Sequence, residues 1–562
     1  MVVIGPGLAP GYLLVRDMVA VPDPSVNGRL LGLGHEAPRV VPSDLVVALA
    51  AHVVPGDLVQ KVVLVGILVG AAVGAARLAP GGSIAGSAAA LAAVWNPFVA
   101  ERLAMGQWAL LVGYAALPWV VRGAARAAAG GLGGATLALG LVVGSLGGAA
   151  AWLLVVSGLL GATAGMAVAR RGDCWRVVRR MGRWVALALL LAVPWAVPGL
   201  LRPNATTSDA TGFEVFAPRA DTPGGVALSL LTGGGIWNAD VVTPGRDSLV
   251  GLVGALAVLV WGCAGYVLTR RTAAREIDAV AATYRPALAG AGAVGLTVAL
   301  VSAVPAVLAP AAGLPGGGLL RDGSREIALW VVVVAVGTGW GVAWLQRVGM
   351  PRLLAVLSAL LPVAALPALG WGVAGILEPI DYPDEVLAAV RAVDSGDHRG
   401  AVVVLPFETY RRYPWNGARP SLTPWPRLLQ ERTVVSSDLV VSQPGHLTRV
   451  AGEDAYAAAV RAALEAPDPA RALRDLGVGW FVTDVRGTPA PVGSTAVLRG
   501  VDTVVYRTAQ EGAVGAARAF DPPVVPVLAG DLLWLVGVAV TLVLTVRRAP
   551  HREASPGPAG IG

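Results

Sequence analysis

Charge is what this chain has least of. Asp, Glu, Lys and Arg make up 14% of its 562 residues, where a soluble globular chain carries about a quarter. Lys61 is its single lysine. A formal charge of +7 on so apolar a chain is not a nucleic-acid footprint, and no nucleic-acid partner is expected. Cysteine is nearly missing too. Cys174 falls in a basic loop and Cys263 in an apolar run, which excludes a disulfide framework and a Cys-based metal centre. The five histidines (His35, His52, His398, His446 and His551) are scattered. There is no P-loop, HExxH, metal-spaced Cys/His set or G-x-S-x-G elbow. No metal or cofactor is therefore assigned, and a divalent metal has no residue pattern to support it. Gly-rich strings such as 131–134 lie beside apolar runs, where small residues serve close helix packing.

What is abundant is apolar. Hydrophobic residues reach 55% and mean hydropathy is +0.66. A membrane crossing needs about 20 apolar residues. Runs at 59–77, 82–98, 107–122, 132–149, 151–169, 184–201, 248–269, 287–309, 326–346, 353–375 and 528–546 meet that need. The runs 132–149 and 151–169 are continuous, so a tight reversal is expected at Gly147-Gly148. The fold class is an all-α polytopic bundle with a small α/β domain before its last span. Arginine sets the orientation. Alternate connections hold eighteen basic residues, including Arg122, Arg126, Arg170, Arg171, Arg176 and Arg347, against four acids, Asp173, Glu276, Asp278 and Glu553. That side reads as cytoplasmic and includes the tail 548–562. Segments 1–58, 99–106, 202–247, 310–325 and 376–527 then lie outside. The N-terminus comes out external without a signal peptide. Residues 1–14, broken by Gly5, Pro6, Gly7, Pro10 and Gly11, are not expected to cross, and an upstream segment is expected to supply a first span.

The outer segments divide into a loop 1–58, a loop 202–247 within the membrane core 59–377, and a domain 378–527 ahead of the last helix, 528–547. Ser43 to His52 reads as a short helix capped by Ser43, with Asp44 in its first turn. Ten residues cannot span, so it lies along the membrane surface. The apolar stretch 226–232 dips back toward the bilayer, and Asn204-Ala205-Thr206 has the form of a glycosylation sequon. In the 381–526 domain, strands are expected at 401–405, 478–485 and 501–508, with a helix over 454–476. Between them Tyr410, Arg412, Tyr413 and Trp415 form an aromatic and basic patch suited to sugar stacking or phosphate contact.

One run stands apart. Trp95-Asn96-Pro97-Phe98-Val99-Ala100-Glu101-Arg102-Leu103-Ala104, closed by Met105-Gly106-Gln107-Trp108, sets an acid, an arginine and an amide between two span-length apolar stretches, where each is costly. Together with Arg16-Asp17-Met18, Arg321-Asp322-Gly323 and Trp415-Asn416-Gly417, it resembles an actinobacterial group of polytopic proteins in the type C glycosyltransferase superfamily. The resemblance spans most of the chain. It implies a plasma-membrane enzyme that takes a polyprenyl-phosphate sugar donor and acts on an envelope polysaccharide or glycolipid at the outer face, as arabinofuranosyl- and mannosyltransferases do. Asp17 matches the acidic residue of the first outer loop taken as the catalytic base, with Asp23 in reserve. Here Asp17 is followed by Met rather than a second acid. Arg102 is the preferred partner of the donor phosphate, with Arg16, Arg39 and Arg321 as sharers. Glu101 and Gln107 support it, Glu101 by holding Arg102. Two other classes are weighed: a transporter or flippase, which predicts charges at mid-span and a repeat in two halves, and a non-catalytic glycan-binding scaffold. An enzyme should gather Asp17, Arg102 and Arg321 into one outward-opening pocket.

Overall fold

Apolar runs become helices, even where Pro118 and Pro286 fall inside them. The computed structural model describes residues 1–547 apart from 203–207, 270–274, 315, 444–445, 510 and 512–513. The Asn204 sequon and the 548–562 tail lie outside the described residues. The first nine helices are α1 (Ser43–Ala51), α2 (Gly56–Ala76), α3 (Ser83–Val94), α4 (Pro97–Ala104), α5 (Trp108–Ala128), α6 (Gly134–Leu146), α7 (Gly148–Ala169), α8 (Cys174–Leu190) and α9 (Val193–Leu201). Longer helices follow at Leu249–Leu268, Arg275–Ser302, Ile327–Arg347 and Val524–Arg547.

Among the described residues eight helices are long and apolar enough to cross a membrane, or up to ten if two bent pairs each count once. The pairs are 171–190 with 193–201, bent by 59°, and 352–365 with 367–375, bent by 72°. The expected eleventh crossing is α6. Its 13 residues span about 20 Å, short of the roughly 30 Å hydrocarbon core. Eleven full crossings are therefore not reached among the described residues. Gly148, with φ +73°, makes the anticipated reversal between α6 and α7. Small residues close the bundle. Gly161 and Gly165 of α7 face Gly290 so closely that a Cβ at Gly165 would stand 1.9 Å from the Pro286 carbonyl oxygen, as in small-xxx-small membrane crossings.

The 99–106 segment, expected as an outer loop, is mostly helix. Asn96 explains why. Its side chain accepts from the Val99 amide at 3.0 Å and so caps α4, while its amide nitrogen donates to the Ala92 and Ala93 carbonyls at the end of α3. One residue thus ends one helix and starts the next, with Pro97 at the first helical position. The short helix at 43–51 forms as expected. Ser43 does not cap it: Pro42 holds that position, and the Ser43 hydroxyl donates to Val40 O at 3.0 Å.

The α/β domain is built on a five-stranded sheet in the order β10-β11-β9-β3-β6. These are β3 (Ala401–Leu405), β6 (Thr433–Val434), β9 (Val478–Thr483), β10 (Ser494–Arg499) and β11 (Val504–Thr508). β3 runs parallel to both neighbours, with Val402 opposite Trp480. Val402 and Val404 face the helix Asp384–Asp394, and Val403 faces Ala455–Leu464. Both faces are covered, which is why β3 reads as an unbroken apolar run. The expected helix 454–476 is two helices, because Asp468 caps a new one beginning at Pro469. Residues 1–58 are not a separate unit. β1 (Leu14–Val15) and β2 (Met18–Val19) pair with each other, and Leu14, Val19 and Val21 join the core of the α/β domain. Residues 1–14 form a short 3₁₀ turn at Gly5–Leu8 and no crossing helix.

Candidate functional site

The turn between β1 and β2 is where bundle and domain meet, and Asp17 stands on it. On the domain side, Arg16 N donates to Pro420 O at 2.7 Å and Leu422 N to Arg16 O at 2.8 Å. Asn416 donates to Leu14 O at 3.0 Å. On the bundle side, Asp17 N donates to Met105 O at 3.1 Å. Gly106, with φ +77°, lies directly beneath: a Cβ there would stand 2.3 Å from both Val15 O and Met18 N. Arg16 takes a left-handed conformation (φ +48°), a strained backbone for a non-glycine residue. The motif segments around Asp17, Gly106 and Asn416, far apart in sequence, converge on this one turn.

The Asp17 carboxylate is held from both sides. The Tyr410 hydroxyl donates to Oδ1, and Gln107 Nε2 donates to Oδ2 at 3.4 Å. Burial pushes its pKa above the ordinary aspartate value; the Tyr410 and Gln107 hydrogen bonds and the fields of Arg39 and Arg16 oppose the shift without cancelling it. Gln107 Oε1 in turn accepts from Arg102 Nη1 at 2.7 Å. Arg102 also donates to Asp322 Oδ2 at 3.0 Å and Ser324 Oγ at 2.9 Å, and is 1% exposed. Burial alone would raise the Asp322 pKa, but Arg102 and Arg325 hold it below the usual range.

Asp17, Gln107 and Asp322 open onto a cavity of about 660 Å³. Its polar wall also carries Arg39, Arg321, Arg325, Tyr410 and Glu453, and its apolar wall Leu110, Ala149, Ala150, Trp195, Ala196 and Leu200 from the ends of α5, α7 and α9. Glu453 is shared by Arg39 Nη2 at 3.0 Å and Arg321 Nη1 at 3.1 Å. Arg321 lies over the Phe216 ring at 4.6 Å from its centroid, and Phe216 packs edge-on against Trp237. A carboxylate whose pKa burial raises, at the seam of polar and apolar walls, has the chemistry to take a proton from a hydroxyl.

Several expected site residues are elsewhere. Asp23 is exposed and not on the cavity wall. The Arg16 side chain turns to Asp240 O at 3.4 Å; its backbone anchors the turn, and its guanidinium acts on Asp17 only through its field. Arg102 is walled in beneath the cavity, one glutamine away from Asp17. Glu101 does not hold Arg102. It faces Arg246 at 3.9 Å, and Arg246 pairs with Asp221 at 2.7 Å, so Glu101 ties the 208–247 loop to α4. Tyr413 and Trp415 stack on each other at 4.6 Å inside the domain. The Tyr413 hydroxyl donates to Asp484 at 2.7 Å, as does Trp425 at 2.9 Å. Arg412 is exposed and donates to Ala418 O. Of the aromatic and basic patch, only Tyr410 reaches the cavity. Sequence reasoning missed Arg325, Glu453 and Trp237. Arg325 lies two residues past the Arg321-Asp322-Gly323 segment; the other two carry no local signal. No group of three or more His, Cys, Asp or Glu suited to a metal ion occurs among the described residues.

No family model matches the chain, and a comparison with curated proteins finds no match. The fold, however, is that of solved structures. A cryo-EM structure of the arabinofuranosyltransferase AftD from mycobacteria matches with a TM-score of 0.53 and 15% identity, over 91% of this chain and 39% of that one. A mutant form of AftD matches at 0.56 and 16%, over 90% and 41%. This chain thus spans about two fifths of the length of those chains. At such identity the likeness is one of fold.

Proposed function

We propose that the chain is an integral-membrane glycosyltransferase that moves a sugar, arabinofuranose or mannose, from a polyprenyl-phosphate donor to an envelope glycan or glycolipid, on the face that carries the α/β domain. The observation that carries this reading is Asp17: a carboxylate with raised pKa on the wall of a cavity that is polar on the domain side and apolar along helix ends. Such a cavity suits a substrate with a hydrocarbon tail, an anionic joint and a sugar head. The fold shared with an arabinofuranosyltransferase supports it. In this reading Asp17 takes the proton from the acceptor hydroxyl as its oxygen bonds to the anomeric carbon. The bond from that carbon to the phosphate oxygen breaks, and the electron pair leaves on the polyprenyl phosphate. Tyr410 and Gln107 fix the direction of the carboxylate, and Arg39 and Arg321 place positive charge near the departing group.

The test is transfer from radiolabelled polyprenyl-phosphate arabinose and mannose by purified protein. General-base catalysis is worth about 10²–10⁴ in rate, so Asp17→Asn should lose that much turnover while keeping donor affinity. Full activity in Asp17→Asn would refute the base assignment. No transfer from either donor by the unaltered protein would refute the function.

A further inference from the structure

The cations on the cavity wall are not equivalent. Arg39 and Arg321 share Glu453, and Arg427 is paired with Asp44 at 3.0 Å. Arg325 differs. It is 7% exposed, lines the cavity, and makes no hydrogen bond or ion pair among the described residues; its Nε is fully enclosed without a partner. Two carboxylates reach it through their fields, Asp322 and the adjacent Glu326, and neither lies within ion-pair distance; Asp322 is taken by Arg102 at 3.0 Å and by the Ser324 hydroxyl at 2.6 Å. A guanidinium offers five N–H donors in a rigid fork. Enclosing the Nε donor without a partner costs free energy, and the terminal nitrogens, which have no hydrogen-bond partner among the described residues, are left for an anion in the cavity. The cavity beside it has room, and an apolar wall from α7 and α9 completes it.

We propose that Arg325 is the seat of a lipid-borne phosphate, gripping two of its oxygens with the guanidinium fork. This rests on the reading of the chain as a polyprenyl-phosphate-dependent transferase. It moves the anion contact from Arg102, whose terminal nitrogens are engaged, to a cation two residues past the Arg321-Asp322-Gly323 segment. A planar, delocalised fork matches phosphate geometry, where an ammonium offers only a point charge.

The experiment measures binding, not turnover. Purified full-length protein in detergent is titrated with a long-chain prenyl monophosphate, with inorganic phosphate, and with phosphatidylglycerol, following the ligand-induced rise in melting temperature. The variants are Arg325→Gln, Arg325→Lys and Asp17→Asn. Arg325→Gln should weaken prenyl-phosphate binding at least tenfold, Arg325→Lys should recover part of it, and Asp17→Asn should bind as the unaltered protein does. Arg325→Gln loses no hydrogen bond but does lose its field on Asp322 and Glu326, so the ligand-induced shift is read from each variant's own unliganded melting point. If Arg325→Gln does not fold, the comparison of Arg325→Lys with the unaltered protein decides, and equal affinity there counts against the fork. Prenyl-phosphate binding that ignores Arg325 overturns this inference and leaves the transferase reading standing. Phosphatidylglycerol binding that depends equally on Arg325 makes it a headgroup site and overturns the donor assignment. Failure of the unaltered protein to bind prenyl phosphate at all removes the transferase reading with it.

Discussion

Gly106→Ala isolates what places Asp17. The added Cβ would stand 2.3 Å from Val15 O and from Met18 N, and 2.9 Å from Asp17 N. All three are backbone atoms, so no flexible side chain can swing away. Reaching even 3.0 Å demands a shift of about 0.7 Å. At φ +77° an alanine also takes on left-handed strain of about 1–2 kcal/mol. Adding about 1–3 kcal/mol for overpacking, the variant should lose roughly 2–5 kcal/mol of stability, or move the Asp17 turn off Met105. A displacement of about 1 Å at reacting groups costs on the order of 10² in rate. The assays are sugar transfer and thermal denaturation of the purified protein, with Gly182→Ala as control because nothing lies within 4 Å of that position. The expected result is a large loss of transfer together with a lowered melting point for Gly106→Ala, and neither for the control. Transfer and melting at the level of the unaltered protein would refute the claim that close backbone packing on Gly106 sets the position of the base.

Two further outcomes follow from the same geometry. Because burial raises the Asp17 pKa, the acid limb of the kcat/KM profile should fall above the ordinary aspartate range. The folded state keeps this proton to higher pH than the unfolded one, so the group's contribution to stability declines as pH rises through that window. Asp17→Asn should therefore be more stable than the unaltered protein at neutral pH, and the gap should close below about pH 4; a gap that grows on acidification would contradict the assignment. For orientation, an impermeant maleimide should label a cysteine placed at the exposed Ser395 in intact cells, and label the native, exposed Cys174 only after lysis. The reverse pattern would invert the topology.

How far the sequence went depends on the range of the interaction concerned. Helices were legible because a span is announced by its own residues: the runs at 59–77, 107–122 and 151–169 became α2, α5 and α7 with shifts of a few residues at their ends. The α/β domain was legible for the same reason, through its buried β3 run. What failed was whatever one residue does for a distant one. Nothing near Asn96 says that its side chain will close α3 and open α4 at once. Tyr413 and Trp415 look like a sugar platform until Asp484, some seventy positions away, is seen accepting from Tyr413 and Trp425. Glu101 and Arg102 are neighbours in sequence yet point to opposite partners, Arg246 and Asp322, because successive residues on a helix do not share a face.

The position of Asp17 carries this argument to function. Its turn is stitched to Pro420 and Leu422 of the domain and to Met105 of the bundle, and its side chain is held by Tyr410 from the domain and Gln107 from the bundle. Neither half holds the carboxylate by itself. A rigid, doubly anchored carboxylate is what general-base catalysis needs, since the proton must be met within hydrogen-bond reach. It also means that any change in how the domain sits on the helices is felt first at Asp17, through atoms that belong to both.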